Sequence, residues 1–249
     1  MSSLNNGLPE AGRVFIADLH LDPANTASYE LALDFFSACK QLDALYILGD
    51  LFEYWVGDDA GITLYSHVIE ALAELGRQGC PVTIMHGNRD FLLGEAFAQA
   101  SGATVVKSDE LIVHWQNQPV LLLHGDTLCV DDDAYQAFRS QVRNLQWQSA
   151  FLSRSIEERV NYAAQLREQS RELSAGKPDE LMDVCLQEVE HRLKANQCNL
   201  MIHGHTHRPA HHTGDDYQRL VVGDWHASHA QYVLMHNTSL SLKTWHSRH

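Results

Sequence analysis

Five short apolar runs in this chain each end on side chains that carry oxygen or nitrogen donors. No other feature constrains the fold as strongly. Ala44-Leu45-Tyr46-Ile47-Leu48 runs into Gly49-Asp50, Val14-Phe15-Ile16-Ala17 into Asp18-Leu19-His20, and Val82-Thr83-Ile84-Met85 into His86-Gly87-Asn88-Arg89-Asp90. Val120-Leu121-Leu122-Leu123 leads to His124-Gly125-Asp126, and Leu200-Met201-Ile202 to His203-Gly204-His205-Thr206-His207. A short continuous apolar run bounded by glycine reads as a buried strand of an α/β sheet. Open α/β sheets bind their ligands beyond the carboxyl ends of the strands. Five tips converging with Asp, Asn and His donors are the mark of a metal site, with Asp50 as its candidate centre.

The segments between the tips complete an α/β pattern. Residues 26–40 place Tyr29, Leu33, Phe36 and Lys40 at helical spacing, 63–79 place Leu64, Val68, Leu72 and Leu75, and 95–101 form a short helix closed by Gly102. The order up to there is β-α-β-α-β-α, a sheet covered by helices. Strands at 104–106, 111–115 and 120–123 follow with short polar turns, so antiparallel pairing is expected. The last third adds strands at 200–202, 220–222, 232–235 and 240–244. Two facing sheets with helices outside accommodate this many strands better than one sheet.

A helical insertion spans roughly 131–196, between the fourth and fifth tips. Tyr135, Phe138, Val142 and Leu145 mark one helix, Ile156, Val160 and Ala163 a second, and Leu181, Cys185, Val189 and Leu193 a third. Ser174-Ala175-Gly176-Lys177-Pro178 breaks the second from the third. Between Arg139 and Lys177 stand seven Lys/Arg against four acids, a local +3 in a chain of net charge -14. A solvated helical cap and a lid with a basic, apolar inner face for an anionic amphiphile fit this stretch equally well.

With 249 residues the chain can bury one substantial core, so one domain with an insertion is expected over 1–249. The acidic balance argues against nucleic-acid binding, whose footprint is basic. The five cysteines form no C-x-x-C pair and are expected to be separate reduced thiols of a cytosolic protein. The first twelve residues lack a charged and an apolar signal region, and no run is long enough to span a bilayer. Sixteen His is the compositional oddity. Those of the C-terminal fifth (His211, His212, His226, His229, His236, His246, His249) read mostly as surface residues and are assigned no chemistry.

Asp18-x-His20, Gly49-Asp50, Gly87-Asn88, His124 and Gly204-His205-x-His207 supply seven mixed oxygen and nitrogen donors. That set suits Mn²⁺, Fe²⁺ or Zn²⁺ better than a cysteine-rich structural zinc site would. Seven side chains are too many for one ion and fit two if one carboxylate bridges, with the ions about 3.5–4 Å apart around a phosphoryl group.

In these motifs the chain resembles the calcineurin-like metallophosphoesterase superfamily. The resemblance implies a four-layer αββα sandwich with a helical insertion lid. It implies one metal on Asp18, His20, Asp50 and His207 and a second on Asp50, Asn88, His124 and His205, most often Mn²⁺. Many relatives carry His after Gly-Asn as an acid for an alkoxide leaving group. Here Arg89 stands instead, a charge stabiliser suited to a leaving group that needs no proton, such as the phosphate of a pyrophosphate bond. A plain ion pair between Arg89 and a nearby carboxylate is the alternative.

Gly49-Asp50-Leu51-Phe52-Glu53, His86 to Gly94, His124 to Cys129, Asp132 to Arg139, Ile202 to Ala210 and Gly223-Asp224-Trp225 narrow the likeness to the pyrophosphatases of lipid A synthesis. This likeness runs from about Arg13 to Trp225. It implies a monomer held peripherally on the cytoplasmic face of a Gram-negative inner membrane. There it would cleave an acylated UDP-glucosamine to UMP and a diacylglucosamine 1-phosphate by water attack on the α-phosphorus. Asp50 and the metals would orient the nucleophile, and Asn88, Arg89 and His205 would stabilise the phosphoryl oxygens. Asp132, Ser170, Ser174 and Lys177 would contact substrate from the insertion. Ser174 departs from the Asn expected there. A soluble phosphoesterase acting on dinucleoside polyphosphates or phosphoproteins is the rival enzyme, and a scaffold of the same fold is the rival without catalysis.

Overall fold

Alternation of side chains within the central strands dictates two packed sheets. In β1 (Arg13–Ile16), Val14 and Ile16 join a cluster with the helices while Phe15 joins a second cluster on the opposite face. In β6 (Gln118–Leu123), Val120 and Leu122 enter that same second cluster and Leu121 and Leu123 enter a third. Successive residues of a strand point to opposite faces, so strands buried on both faces must sit between two layers each. The computed structural model describes residues 8, 9, 11–174, 183–223, 225, 226 and 229–246, without the side chains of 170–174.

Six strands form the first sheet in the order β11-β10-β1-β2-β3-β4. These are β1, β2 (Ala44–Ile47), β3 (Val82–Met85), β4 (Thr104–Val106), β10 (His229–His236) and β11 (Ser239–His246). The second sheet runs β5-β6-β7-β9-β8, from β5 (Glu110–Trp115), β6, β7 (Leu200–His203), β9 (Gln218–Val221) and β8 (Ala210–Thr213). Between the sheets lie Phe15, Leu48, Met85, Val120, Ile202, Val222 and Val233. Helices α1 (Thr26–Ala38), α2 (Asp58–Leu64), α3 (Ser66–Arg77) and α4 (Glu95–Ser101) belong to the cluster on the outer face of the first sheet. Val189 and Leu193 of α8 (Leu186–Ala195) belong to the cluster on that of the second. The expected four layers are present.

Three expectations need correction. β4 pairs with β3, parallel, Thr83 against Thr104, because α4 and the left-handed Gly102 (φ 66°) form a crossover that returns the chain alongside β3. Only β5 and β6 form the expected hairpin, on a two-residue turn with Gln116 and Asn117 at φ 51° and 62°. Residues 63–79 are not one helix. The chain is already helical from Asp58 and breaks at Tyr65 (φ -110°, ψ 27°), whose buried ring packs against Phe52 and Trp55. The exposed edge strand β8 has no apolar alternation and left no trace in the sequence pattern.

Helices α5 (Asp133–Val142), α6 (Leu145–Leu152), α7 (Ile156–Ser174) and α8 fall between β6 and β7. The 3-4-3 spacing from Tyr135 overran its helix. Asn144 caps α6 by accepting from the amides of Gln146 and Trp147, and Leu145 opens that helix at 80 % exposure. Leu181, Lys177 and Asp224 lie outside the described residues.

Candidate metal centre

The strand tips do not simply end; they turn back. Asp18, His20, Asp50, His205 and His207 all have positive φ, between 46° and 71°. Left-handed backbone costs a non-glycine residue on the order of 1–2 kcal/mol, and residues held that way cluster at functional sites. Pairing beyond the strands holds the tips: Asp18 N donates to Gly49 O at 3.1 Å and His20 N to Asp50 O at 3.0 Å. Gly204 N donates to His124 O at 2.7 Å, joining the tips of β6 and β7. At Gly87 a Cβ would overlap the carboxylate and backbone nitrogen of Asp50, so only glycine lets the β3 tip approach the β2 tip.

All seven expected donors meet here. Asp50, 2 % exposed, sits between two groups, with Oδ2 at 3.8 Å from His20 Nε2 and at 3.8 Å from His124 Nε2. Its Oδ1 accepts from the amide of Arg89 at 2.8 Å. On one side, Asp18, His20 and His207 bring ligand atoms within 4.8 Å of one another; on the other, Asp18, Asp50 and His124 do the same. Asn88 Oδ1 lies 2.8 Å from His124 Nε2 and 3.0 Å from His205 Nδ1.

Three observations fit a divalent cation. Asp18 Oδ1 is buried and has no hydrogen-bond partner. His124 Nδ1 donates to the Leu48 carbonyl at 2.8 Å, which leaves Nε2 with a lone pair aimed at the lone pairs of Asn88 Oδ1. His20 Nε2 and His207 Nε2 face each other at 3.2 Å. Donors with nothing between them are what a cation resolves. The charge balance agrees: burial lifts the Asp18 carboxyl to about 7, opposed by His124 and reinforced by Asp50. Burial, then repulsion from His124, holds His205 down to about 4, and burial with His20 holds His207 down to about 4. Both imidazoles are therefore neutral at physiological pH.

Arg89 is not a free cation. Its Nη1 lies 3.7 Å from Glu53 Oε1, the ion pair weighed as the alternative to a phosphoryl contact. Arg167 Nη1 of α7 lies 3.4 Å from the same oxygen. Four other arginines of the insertion also meet partners within the protein. Arg139 donates to Asp126 at 2.8 Å and pairs with Asp109, Arg143 donates to Gly87 O at 2.9 Å, and the buried Arg159 holds Asp59 and Val56 O. Arg154 lies over the Phe151 and Tyr162 rings. These cations bolt the helices to the loops after β2, β3 and β6 or cover aromatic rings. Net positive charge in the sequence could not distinguish such anchors from a substrate face.

Asp132 Oδ1 accepts from Tyr135 N at 3.2 Å and so caps α5. Ser170 and Ser174 fall on α7 with side chains outside the described set, as does the whole of Lys177.

Supporting residues had no distinct signal in the sequence. Asp90, fully buried, accepts from the amides of Gly87, Leu51, Asp50 and Phe52 and so ties the β3 tip to the β2 tip. Asp126 accepts from Tyr135 Oη at 2.8 Å, bringing the Tyr135 ring to 5.8 Å from that of His205. His203 takes a hydrogen bond from Arg219 at 3.0 Å and donates to Gly204 O at 2.8 Å beneath the loop carrying His205 and His207. Asp90 and Asp126 both lie inside the quoted motifs, where only three-dimensional placement separates them from the donors.

The calcineurin-like phosphoesterase family matches residues 13–209. A UDP-2,3-diacylglucosamine hydrolase of Cellvibrio japonicus is 42 % identical over 238 residues, covering 93 % of this chain and 98 % of its own. Proteins of the same name from Xanthomonas campestris (46 % identical; 86 % of this chain, 91 % of its own) and Chromohalobacter salexigens (43 %; 85 % and 88 %) are similar over nearly the same span.

Proposed function

The chain belongs to the calcineurin-like phosphoesterase family, and from that premise we propose that it hydrolyses the pyrophosphate bond of UDP-2,3-diacylglucosamine, giving UMP and 2,3-diacylglucosamine 1-phosphate. The placement of Asp50 Oδ2, equidistant at 3.8 Å from an imidazole of each half-site, carries the chemistry. The substrate rests on the names of relatives that align along almost the whole chain.

Asp18, His20, Asp50 and His207 would hold one divalent ion and Asp50, Asn88, His124 and His205 the other, with Mn²⁺ the proposed metal, one of the ions that a mixed oxygen and nitrogen donor set suits. When bound, such a pair supplies charge for the phosphoryl oxygens and a water deprotonated at neutral pH. The residues do the rest. Asp50 fixes the two half-sites in register, and its Oδ1 holds the Arg89 amide beside Asn88. The Arg89 guanidinium, always charged, offsets negative charge on the phosphoryl group without giving up a proton. The leaving sugar phosphate needs none. Arg89→Ala is expected to lower kcat by about 10²–10³-fold, with Arg89→Lys recovering only part of it. In ¹⁸O-water the label should enter UMP; label in the sugar phosphate would mean attack on the other phosphorus.

We propose a single domain whose insertion, about 131–196, serves as a lid over this centre. Phe91, Trp147, Phe151 and Tyr162 form a contiguous aromatic cluster that joins the segment after β3 to the insertion, and this apolar side of the lid is the one proposed to take acyl chains. Asp132, Ser170, Ser174 and Lys177 remain the proposed polar contacts to the sugar. No described helix is long and apolar enough to cross a membrane. Exposed Leu145, Leu152 and Ile156 on the insertion support peripheral contact with a membrane; the proposed setting is a monomer on the cytoplasmic face of a Gram-negative inner membrane.

A further inference from the structure

Glu53 follows the β2 tip, in the segment whose amide donates to Leu21 O at 3.0 Å. Its two carboxylate oxygens face different partners. Oε2 lies 3.3 Å from His20 Nδ1, while Oε1 lies 3.7 Å from Arg89 Nη1 and 3.4 Å from Arg167 Nη1. Arg167 is itself steadied over the Tyr54 ring, 5.9 Å from its centroid.

We propose that Glu53 is a positioning residue for the candidate metal centre: it fixes the His20 ring so that Nε2 is presented to the ion, and through its other oxygen it keeps Arg89 and Arg167 beside that ion. The proposal rests on the metal-centre reading above. The 3.3 Å contact is an ion-pair distance and not a closed hydrogen bond, since His20 Nδ1 is buried without a hydrogen-bond partner; in the neutral ring a carboxylate this near favours the proton on Nδ1 and leaves the lone pair on Nε2. Nε2 is the nitrogen that lies 3.8 Å from Asp50 Oδ2 and 3.2 Å from His207 Nε2. His20 needs such a partner because its side chain is 20 % exposed, against 2 % for His124, which has a backbone carbonyl for the same purpose. The two arginines give Oε1 opposite charge, which keeps Glu53 outside the ligand set instead of competing with Asp50 and Asp18 for the ion.

The test uses the metal-stripped full chain, with Mn²⁺ as the probe. Titration followed by electron paramagnetic resonance should show E53A losing about 10–100-fold in affinity for one of two ions. E53Q, whose amide oxygen still accepts from Nδ1, should recover most of that loss. Nitrogen-15 NMR of the wild type should place the His20 proton on Nδ1. E53A binding both ions like the wild type, E53Q binding as weakly as E53A, or a wild-type His20 proton on Nε2 would each overturn the proposal. A wild type that binds no Mn²⁺ would overturn it together with the metal-centre reading, whereas a wild type that binds two ions beside an unaffected E53A overturns the role of Glu53 alone. Should E53A fail to fold, the wild-type tautomer and the E53Q titration still decide.

Discussion

Asp50→Ala is expected to lower turnover by at least about a thousandfold and to reduce bound divalent metal from two ions per chain to one or none. One oxygen of this carboxylate faces an imidazole of each half-site, at 3.8 Å on each side. Without it, His20 and His207 remain with Asp18, and His124, His205 and Asn88 remain together, with Asp18, which accepts from the His205 amide, as the remaining carboxylate link between them. The same change removes the acceptor of the Arg89 amide and so loosens the residue proposed to meet the phosphoryl oxygens. The metal-free fold should hold, because Asp50 adds to the charge repulsion that, with burial, lifts Asp18. Elemental analysis of the dialysed protein, steady-state kinetics and a melt of the metal-free form separate these effects. Two tightly bound ions in Asp50→Ala would rule out a shared carboxylate.

Asp90→Ala is expected to cost about 3 kcal/mol or more of folding stability, from several buried amides losing their acceptor at ~1–3 kcal/mol each and incompletely adding. Asp90 is not one of the seven donors and meets Asp50 at its backbone amide. Its carboxylate receives Gly87 N at 2.9 Å, Leu51 N at 2.8 Å, Asp50 N at 3.3 Å and Phe52 N at 3.4 Å, in a site with no exposed surface. Burial, with Asp50 adding to it, lifts the carboxyl to about 6, so the amides hold a group that burial resists charging. Asp90→Asn should be milder, since one acceptor oxygen survives. Urea unfolding of the metal-free variants measures both, and an Asp90→Ala midpoint equal to the wild type would show that the loop amides find other partners.

The donors were legible because they follow short apolar runs in a fixed order, and strand burial forces those ends to one edge of the sheets. Asp18, His20, Asp50, Asn88, His124, His205 and His207 did converge for that reason. The parallel placement of β4 was not legible, since a three-residue strand with one exposed and two half-buried positions carries no information about its partner. The arginines of the insertion left a solvated cap and a basic lid face equally open, because charge in a sequence does not say which carboxylate it will meet. Arg159 illustrates the point: its partner Asp59 lies 100 residues away, in a different helix. Glu53 and Asp90 sat in plain view within the motifs, but their roles depend on angles and distances that spacing alone cannot provide.

The central claim joins this metal centre to an acylated nucleotide-sugar substrate. It is tested most directly by adding UDP-2,3-diacylglucosamine to metal-stripped protein with and without Mn²⁺, beside UDP-glucosamine and diadenosine tetraphosphate. UMP and 2,3-diacylglucosamine 1-phosphate are expected from the acylated substrate alone, only with metal, and none from Asn88→Ala. Equal or faster turnover of the unacylated compounds would contradict the lipid assignment and leave a soluble phosphoesterase in its place.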